Sequence, residues 1–297
     1  MKKFIKMALV AGIAIAGLIE VGVRISGIAD FPLYDADSQI GYIPKPSQSG
    51  DFLRKNHWQF NSKSMGTLEF VPSIAIDNLL IGDSVVLGGN PFRQEERLGP
   101  QLSRTTGQPV WPIAAGSWAL RNELTYLRIH PEVVNDVDRI IFVLNDEDFD
   151  QASSWSCEMT HPRSYPILAS LYAFRKYVWD WEVCDQIPDN FLVPPGNWKS
   201  ELHQFLTSEQ ARGKQIIFFL YPNKSEALGE KSLDVDLERH AHEIINESST
   251  PVSVYSVGRD PRWKSDLYRD GIHPSVDGNR ILAEIISKPA SNTQLPQ

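Results

Sequence analysis

Arg139-Ile140-Ile141-Phe142-Val143-Leu144 and Gln215-Ile216-Ile217-Phe218-Phe219-Leu220-Tyr221 decide how the chain folds. Each is a short, unbroken apolar run rich in β-branched and aromatic residues. That is the pattern of a parallel strand covered on both faces, since a strand with one wet face would alternate. Three further runs, Asn78–Gly82, Val110–Ala114 and 252–257, read the same way. Helix-like stretches lie between and after them, at about 95–105, 118–129, 198–211, 225–246 and Val276–Ser287, with Ser275 placed to cap the last. Strand and helix in alternation predict an α/β protein: a five-stranded parallel sheet in a three-layer α/β/α sandwich.

Two stretches break the alternation. From Phe31 to about Pro72 the chain is polar and punctuated by Pro32, Pro44, Pro46, Gly41, Gly50 and Gly66. It reads as a spacer, residues 31–74, with short strand-like pieces such as Trp58-Gln59-Phe60. Residues 147–200 are too long for an ordinary connection and hold Trp155, Tyr165, Tyr172, Phe174, Tyr177, Trp179, Trp181, Phe191 and Trp198. An inserted helical cap is expected there. Its aromatics suit either a sugar ring or, for most of them, the cap's own small core.

The chain has 297 residues, with 29 Lys and Arg against 37 Asp and Glu, a formal charge of −8. With 42% hydrophobic and 22% charged residues it is neither disordered nor a multi-span membrane protein. No long basic run is present, so nucleic acid is not expected as a partner. The two cysteines, Cys157 and Cys184, are too few for a disulfide scaffold or a structural zinc site. They either pair, closing a loop whose chain entropy is worth about 3 kcal/mol, or are two unrelated buried thiols.

Lys2, Lys3 and Lys6 precede an uncharged apolar run from Met7 to Ile19, which Glu20 interrupts before Val21-Gly22-Val23 and Arg24. The run of about thirteen residues fits a signal-peptide core and is short for a spanning helix, which needs about 20. Counted through Val23 it serves as an uncleaved anchor. The lysines would then hold the N-terminus inside and send the rest across. Residues 1–30 are therefore expected to be a signal anchor or signal peptide, anchoring by residues about 4–23 in inner-membrane lipid. The remainder is expected to be periplasmic or extracytoplasmic, where Cys157 and Cys184 can oxidise.

Residues at the carboxyl ends of the strands carry the candidate chemistry. The first strand runs into Gly82-Asp83-Ser84, where a serine between a strand and a turn would expose its hydroxyl; the same triplet is also an ordinary turn. Gly116, after the second strand, can bring a backbone N–H close to an oxyanion. Asn145, after the third, can donate to an oxyanion or cap the next segment. Near the C-terminus stands Asp270-Gly271-Ile272-His273-Pro274, with Gly278 downstream. A carboxylate three residues before a histidine in a tight loop can bond Nδ1–H and leave Nε2 free to take a proton. The other histidines lack this setting. His57, His130, His161 and His203 are isolated, and His240 and His242 would face different ways on a helix, so all six read as surface or packing residues.

Ser84, Gly116, Asn145 and Asp270/His273, in that order, resemble the four sequence blocks of the SGNH hydrolase superfamily, the GDSL-type esterases. The resemblance spans about residues 75–290 and implies a flavodoxin-like sheet, with residues 291–297 left as a polar tail. It also implies Ser84 as nucleophile, Asp270 and His273 completing a triad, and an oxyanion hole of the Ser84 N–H, the Gly116 N–H and the Asn145 amide. The chain departs from the pattern at Val85, where leucine is usual, and at Val143, where the asparagine block usually has glycine. The apolar segment with Glu20 and Arg24, then Asp35…Gly41-Tyr42 and Asn61-Ser62…Gly66, is similar to membrane-anchored bacterial members linked to acyl groups on cell-surface polysaccharides.

A serine-dependent esterase or O-acyltransferase is therefore expected, acting on an ester or acylated carbohydrate, with no cofactor and no metal. A membrane protein that supplies the acyl group is a candidate partner. The alternative is a catalytically silent envelope protein that binds glycan or a partner on the same fold.

Overall fold

The computed structural model describes residues 2–179, 184, 186–228, 235–248 and 251–287. Trp181, residues 229–234 of the stretch expected to be helical, and the tail 291–297 lie outside the described residues.

The chain begins with helix α1 (Lys2–Ser26). Two antiparallel hairpins come next, β1 (Tyr34–Asp37) with β2 (Gly41–Pro44), and β3 (Gln48–Phe52) with β4 (Asn56–Phe60). The α/β part then runs β5 (Asn78–Gly82), α2 (Ser84–Leu87), α3 (Leu98–Thr106), β6 (Val110–Ala114), α4 (Leu120–Ile129), α5 (Pro131–Asp136) and β7 (Arg139–Leu144). After α6 (Ala169–Tyr177) come α7 (Trp198–Leu206), β8 (Gln215–Leu220), α8 (Lys224–Ala227), α9 (Val235–Glu247), β9 (Ser253–Ser256) and α10 (Val276–Ser287). The expected strands match these to within a residue at each end.

Strands β5 to β9 form one parallel sheet in the order β6-β5-β7-β8-β9. Side chains along a strand alternate between faces, so burying both faces needs apolar residues at every position. Ile140, Phe142, Ile216 and Phe218 enter the core shared with α4, α5, α7 and α9. Ile141, Val143, Ile217 and Phe219 enter the opposite core, shared with α2, α3 and α10. Phe142 and Phe218 stack across neighbouring strands at 4.7 Å. Val143, the departure from the glycine usual in its block, points into this second core and away from the strand ends.

The strand order reverses at β5. The chain moves from β5 to β6 on one side and then returns to place β7 on the other. In open parallel sheets the crevice outside the strand ends at such a reversal is where ligands bind.

Two expectations change. The 31–74 stretch is not a free spacer: Tyr34, Ile40, Tyr42 and Met65 are buried in the same core as β7 and β8. Gly41 makes this docking close. It has φ +79°, and a Cβ there would overlap the Ser153 carbonyl oxygen. The 147–200 insertion is mostly irregular up to the start of α7, with α6 its one α-helix there among the described residues. Its aromatics divide: Trp155 and Tyr172 are buried, whereas Tyr165, Phe174, Tyr177 and Trp179 are exposed.

Cys157 and Cys184 form a disulfide with Cα atoms 5.4 Å apart. Protein isolated without reductant should give no adduct with a maleimide-polyethylene glycol reagent under denaturing conditions and two adducts after reduction. Adducts before reduction would show free thiols. The double serine variant should lose about 3 kcal/mol of stability in denaturant titrations.

Candidate active site

Ser84 opens α2 directly after β5, and Asp83 caps that turn, its Oδ1 accepting the Val85 N–H at 2.8 Å. His273 arrives from the C-terminal loop, 189 residues away, with Nε2 2.9 Å from Ser84 Oγ. On its other side His273 Nδ1 lies 2.9 Å from both oxygens of Asp270. An ionised carboxylate only accepts, so Nδ1 carries the proton and Nε2 is left to accept from the serine hydroxyl.

The loop holding His273 is fixed by its backbone. Asp270 Oδ1 accepts the N–H groups of Ile272 and His273 at 3.0 and 2.8 Å. Arg269 N–H donates to the His273 carbonyl, Tyr221 hydroxyl to the Ile272 carbonyl, and Lys224 N–H to the Gly271 carbonyl. Burial pushes the Asp270 carboxyl up, but the His273 and Ile272 N–H groups and the imidazole together outweigh it and hold the acid well below the usual carboxylate range. It therefore stays ionised beside His273.

Asn145, immediately after β7, reaches the same place. Its Nδ2 donates to Asp83 Oδ2 at 3.2 Å and to Asp148 Oδ2 at 3.0 Å, and its Oδ1 accepts the Glu147 N–H at 2.9 Å. Both amide hydrogens are thus taken by carboxylates. Asn145 can serve an oxyanion when that oxyanion takes the place of Asp83 Oδ2, which is the longer bond and lies 3.2 Å from Ser84 Oγ.

Gly116 lies just beyond β6. The Tyr42 hydroxyl donates to its carbonyl at 2.6 Å, and Trp118 Nε1 donates back to the Tyr42 carbonyl at 2.7 Å, so the 31–74 segment fixes this peptide. Beyond Gly116 the space is open: a Cβ there would meet only His161 Nε2, at 3.7 Å. His161 stacks on Tyr42 at 3.8 Å, and burial pushes its pKa down to about 4, so the imidazole is neutral at pH 7. A cleft of about 550 Å³ runs from this point, lined by Ser117, Gln151, Ser154, Thr160, His161 and Leu192. Neither this cleft nor a cavity of about 600 Å³ between α4 and α7 is lined by Ser84, Asp270 or His273.

The structure therefore brings Ser84, Asn145, Asp270 and His273 together, with Gly116 two residues beyond the end of the neighbouring strand β6. It also adds residues that sequence reasoning leaves unassigned. Asp83, Glu123 and Asp148 are buried together under Asn145, and neither Glu123 oxygen has a hydrogen-bond partner. Burial, and then the charge of Asp83, pushes the Glu123 carboxyl well above its usual range; burial pushes Asp83 and Asp148 up likewise. Glu123 is visible in the sequence as an acid between Leu120, Leu124 and Leu127 on an apolar helix face, and Asp148 lies in the acidic run after Asn145. Tyr42 and His161 carry no such signal. Of the histidines read as packing residues, His240 is one: it is buried, stacks on Phe149 at 3.9 Å and contacts Asp146 and Glu243.

No family model and no curated protein matches the chain. Solved structures do. The chain is similar to a putative lipolytic protein of the G-D-S-L family from Desulfitobacterium hafniense DCB-2, with 12% identity and TM-score 0.41 over 71% of this chain and 97% of that one. It is similar to an acetyl xylan esterase, Est2A, from Butyrivibrio proteoclasticus, with 13% identity and TM-score 0.44 over 75% of this chain and 65% of that one. It is also similar to the salicylyl-acyltransferase SsfX3 from a tetracycline biosynthetic pathway, with 12% identity and TM-score 0.41 over 73% of this chain and 55% of that one.

A buried carboxyl that keeps its proton on folding contributes stability fully below its unfolded pKa, about 4.3 for Glu. That contribution is lost as pH rises from there through the raised folded value. The uncharged variant Glu123→Gln should therefore gain stability relative to the parent as pH increases from about 4.5 to about 8, read from urea midpoints. A difference that does not change with pH would mean that Glu123 is ionised in the folded protein.

Proposed function

We propose that this protein is a serine-dependent acyl ester enzyme of the SGNH type, working outside the cytoplasmic membrane on an acylated carbohydrate of the cell envelope. The observation that carries this reading is the continuous hydrogen-bonded chain Asp270–His273–Ser84 at the reversal point of a parallel sheet. A hydroxyl is a poor nucleophile until a base takes its proton as it attacks, and the base must be held in one tautomer. Asp270 does the holding here.

In the first step Ser84 Oγ bonds to the ester carbonyl carbon and its proton passes to His273 Nε2. The carbonyl π electrons move to oxygen, where the Ser84 and Gly116 N–H groups and the Asn145 amide stabilise the charge. Collapse re-forms the carbonyl and breaks the bond to the alcohol, which leaves with the proton from His273. In the second step water or a carbohydrate hydroxyl gives its proton to His273 and takes the acyl group, and Ser84 recovers its proton. Water makes the enzyme an esterase; a sugar hydroxyl makes it an O-acyltransferase.

The hydroxyl-rich cleft that begins at His161, the residue facing Gly116, supports a carbohydrate as the acylated or accepting group. Helix α1 supports attachment to a membrane: residues 3–26 are long and apolar enough to cross one, and no part of the span is buried in the protein. At about 1.5 Å per residue that helix covers the roughly 30 Å of hydrocarbon. The lysines at its start and the disulfide beyond it both favour an exported catalytic domain.

A fluorophosphonate probe should label the parent protein at Ser84 and leave Ser84→Ala unlabelled. Turnover of p-nitrophenyl acetate should fall by about 10³-fold or more in Ser84→Ala and His273→Ala, and by about 10²- to 10³-fold in Asn145→Ala. Equal labelling and turnover in parent and Ser84→Ala would reject the mechanism. Mass spectrometry of envelope polysaccharide should show a changed O-acetyl content when the gene is deleted, a loss identifying transfer and a gain identifying removal.

A further inference from the structure

Helix α6 is apolar on two sides. Ala169, Tyr172 and Ala173 are buried, with the Tyr172 ring 5.0 Å from Phe31. A second band faces outward. Leu171, Phe174 and Val178 succeed one another at i, i+3 and i+7, and are 51%, 45% and 70% exposed. Ile167 before the helix and Trp179 after it extend the band, at 93% and 59% exposed. Bulky apolar side chains concentrated on one face of a nine-residue helix mark a surface that something covers.

The band's position indicates what covers it. Glu20, in the last part of α1, caps α6: its carboxylate accepts the N–H groups of Ala169 and Ser170, both at 2.9 Å, and the Ser170 hydroxyl at 2.7 Å. Arg24 bonds Glu20 at 2.7 Å and donates to the carbonyls of Pro166 and Ile167 at 3.2 and 2.8 Å. Arg54 closes the end of α1 by donating to the carbonyls of Arg24 and Ile25. Helix α6 is thereby fixed beside the level where the apolar surface of α1 gives way to charge. That is the level of the membrane–water boundary, where Trp and Tyr concentrate. Trp179, Tyr177 and Tyr165 flank the band and are about half exposed.

We propose that the outward face of α6 is an interfacial membrane contact, with Leu171, Phe174 and Val178 set into the outer boundary of the bilayer that α1 crosses. The proposal rests on reading α1 as a membrane span. A lipid surface fits the band better than a partner protein because the band adjoins the apolar surface of α1, has aromatic rings at its edges, and has beside it Arg175, whose long side chain suits a headgroup layer. The protein is then in contact with the membrane at two points, a spanning helix and a surface helix, joined by the Glu20 carboxylate.

The test uses the full-length chain in vesicles of phosphatidylethanolamine and phosphatidylglycerol. The native cysteines are paired, so one introduced cysteine takes a nitroxide label cleanly. Labels at Leu171→Cys and Phe174→Cys are compared with Ile13→Cys in α1 and with Glu209→Cys on an exposed polar loop. Relaxation by oxygen, which concentrates in lipid, is measured against relaxation by a water-soluble nickel chelate. The expected result is an oxygen-to-nickel ratio at 171 and 174 several-fold above that at 209 and in the direction of that at 13. If 13 is in lipid while 171 and 174 match 209, the α6 face is in water and the proposal is overturned with the span intact. Labels at 171 and 174 shielded from both reagents would mean that protein covers the face, and would also overturn it. If 13 itself matches 209, the span reading fails and takes the proposal with it.

Discussion

Strand β5 is hydrogen-bonded on both edges, to β6 and to β7, and every one of its residues is buried. Because the pairings are all parallel, the carboxyl ends of the three strands come out side by side. Because β5 sits where the winding reverses, the helices that succeed the strands part there and leave a crevice. Ser84, Gly116 and Asn145 all lie within two residues of their strand ends. Their convergence costs no special loop; it is what the sheet leaves at its edge. His273 alone must be delivered from elsewhere, and its loop is accordingly tied down by backbone and tyrosine hydrogen bonds.

Beneath this crevice the protein tolerates an electrostatic burden. Asp83, Glu123 and Asp148 are close enough to disfavour one another's ionisation, in a place where water does not reach. Clusters of this kind persist when the surroundings determine them, and here Asn145 is the beneficiary. Two acceptors, Asp83 Oδ2 and Asp148 Oδ2, hold its amide in one orientation.

Much of this is legible from sequence because it is local. Ile140–Leu144 and Ile216–Leu220 declare themselves as doubly buried strands by composition alone, and Asp270 and His273 meet across three residues of one loop. What is hidden depends on distant contacts. Tyr42 lies in a stretch broken by proline and glycine that reads as a spacer, and nothing nearby says that its hydroxyl will find Gly116. His161 sits in an irregular insertion without periodicity. Glu123 stands out as a misplaced acid, but that its neighbours are two more acids emerges only from the sheet. The division of the cap aromatics into buried and exposed sets likewise depends on the docking of α1 and Phe31, which no spacing encodes.

The hydrogen bonds of Glu20, Arg24 and Arg54 have a mechanical consequence. An enzyme tethered by a flexible leader samples a volume whose radius is the length of the leader, and it meets its substrate in every orientation. Here the leader has no slack: α1 is bonded directly to α6 and to the β3–β4 hairpin, and the β1–β2 hairpin after it is part of the domain core. The domain behaves as a bracket, not a tether. On the proposed reading of α1 as a membrane span, these bonds would carry the crevice at one height and one tilt above the bilayer.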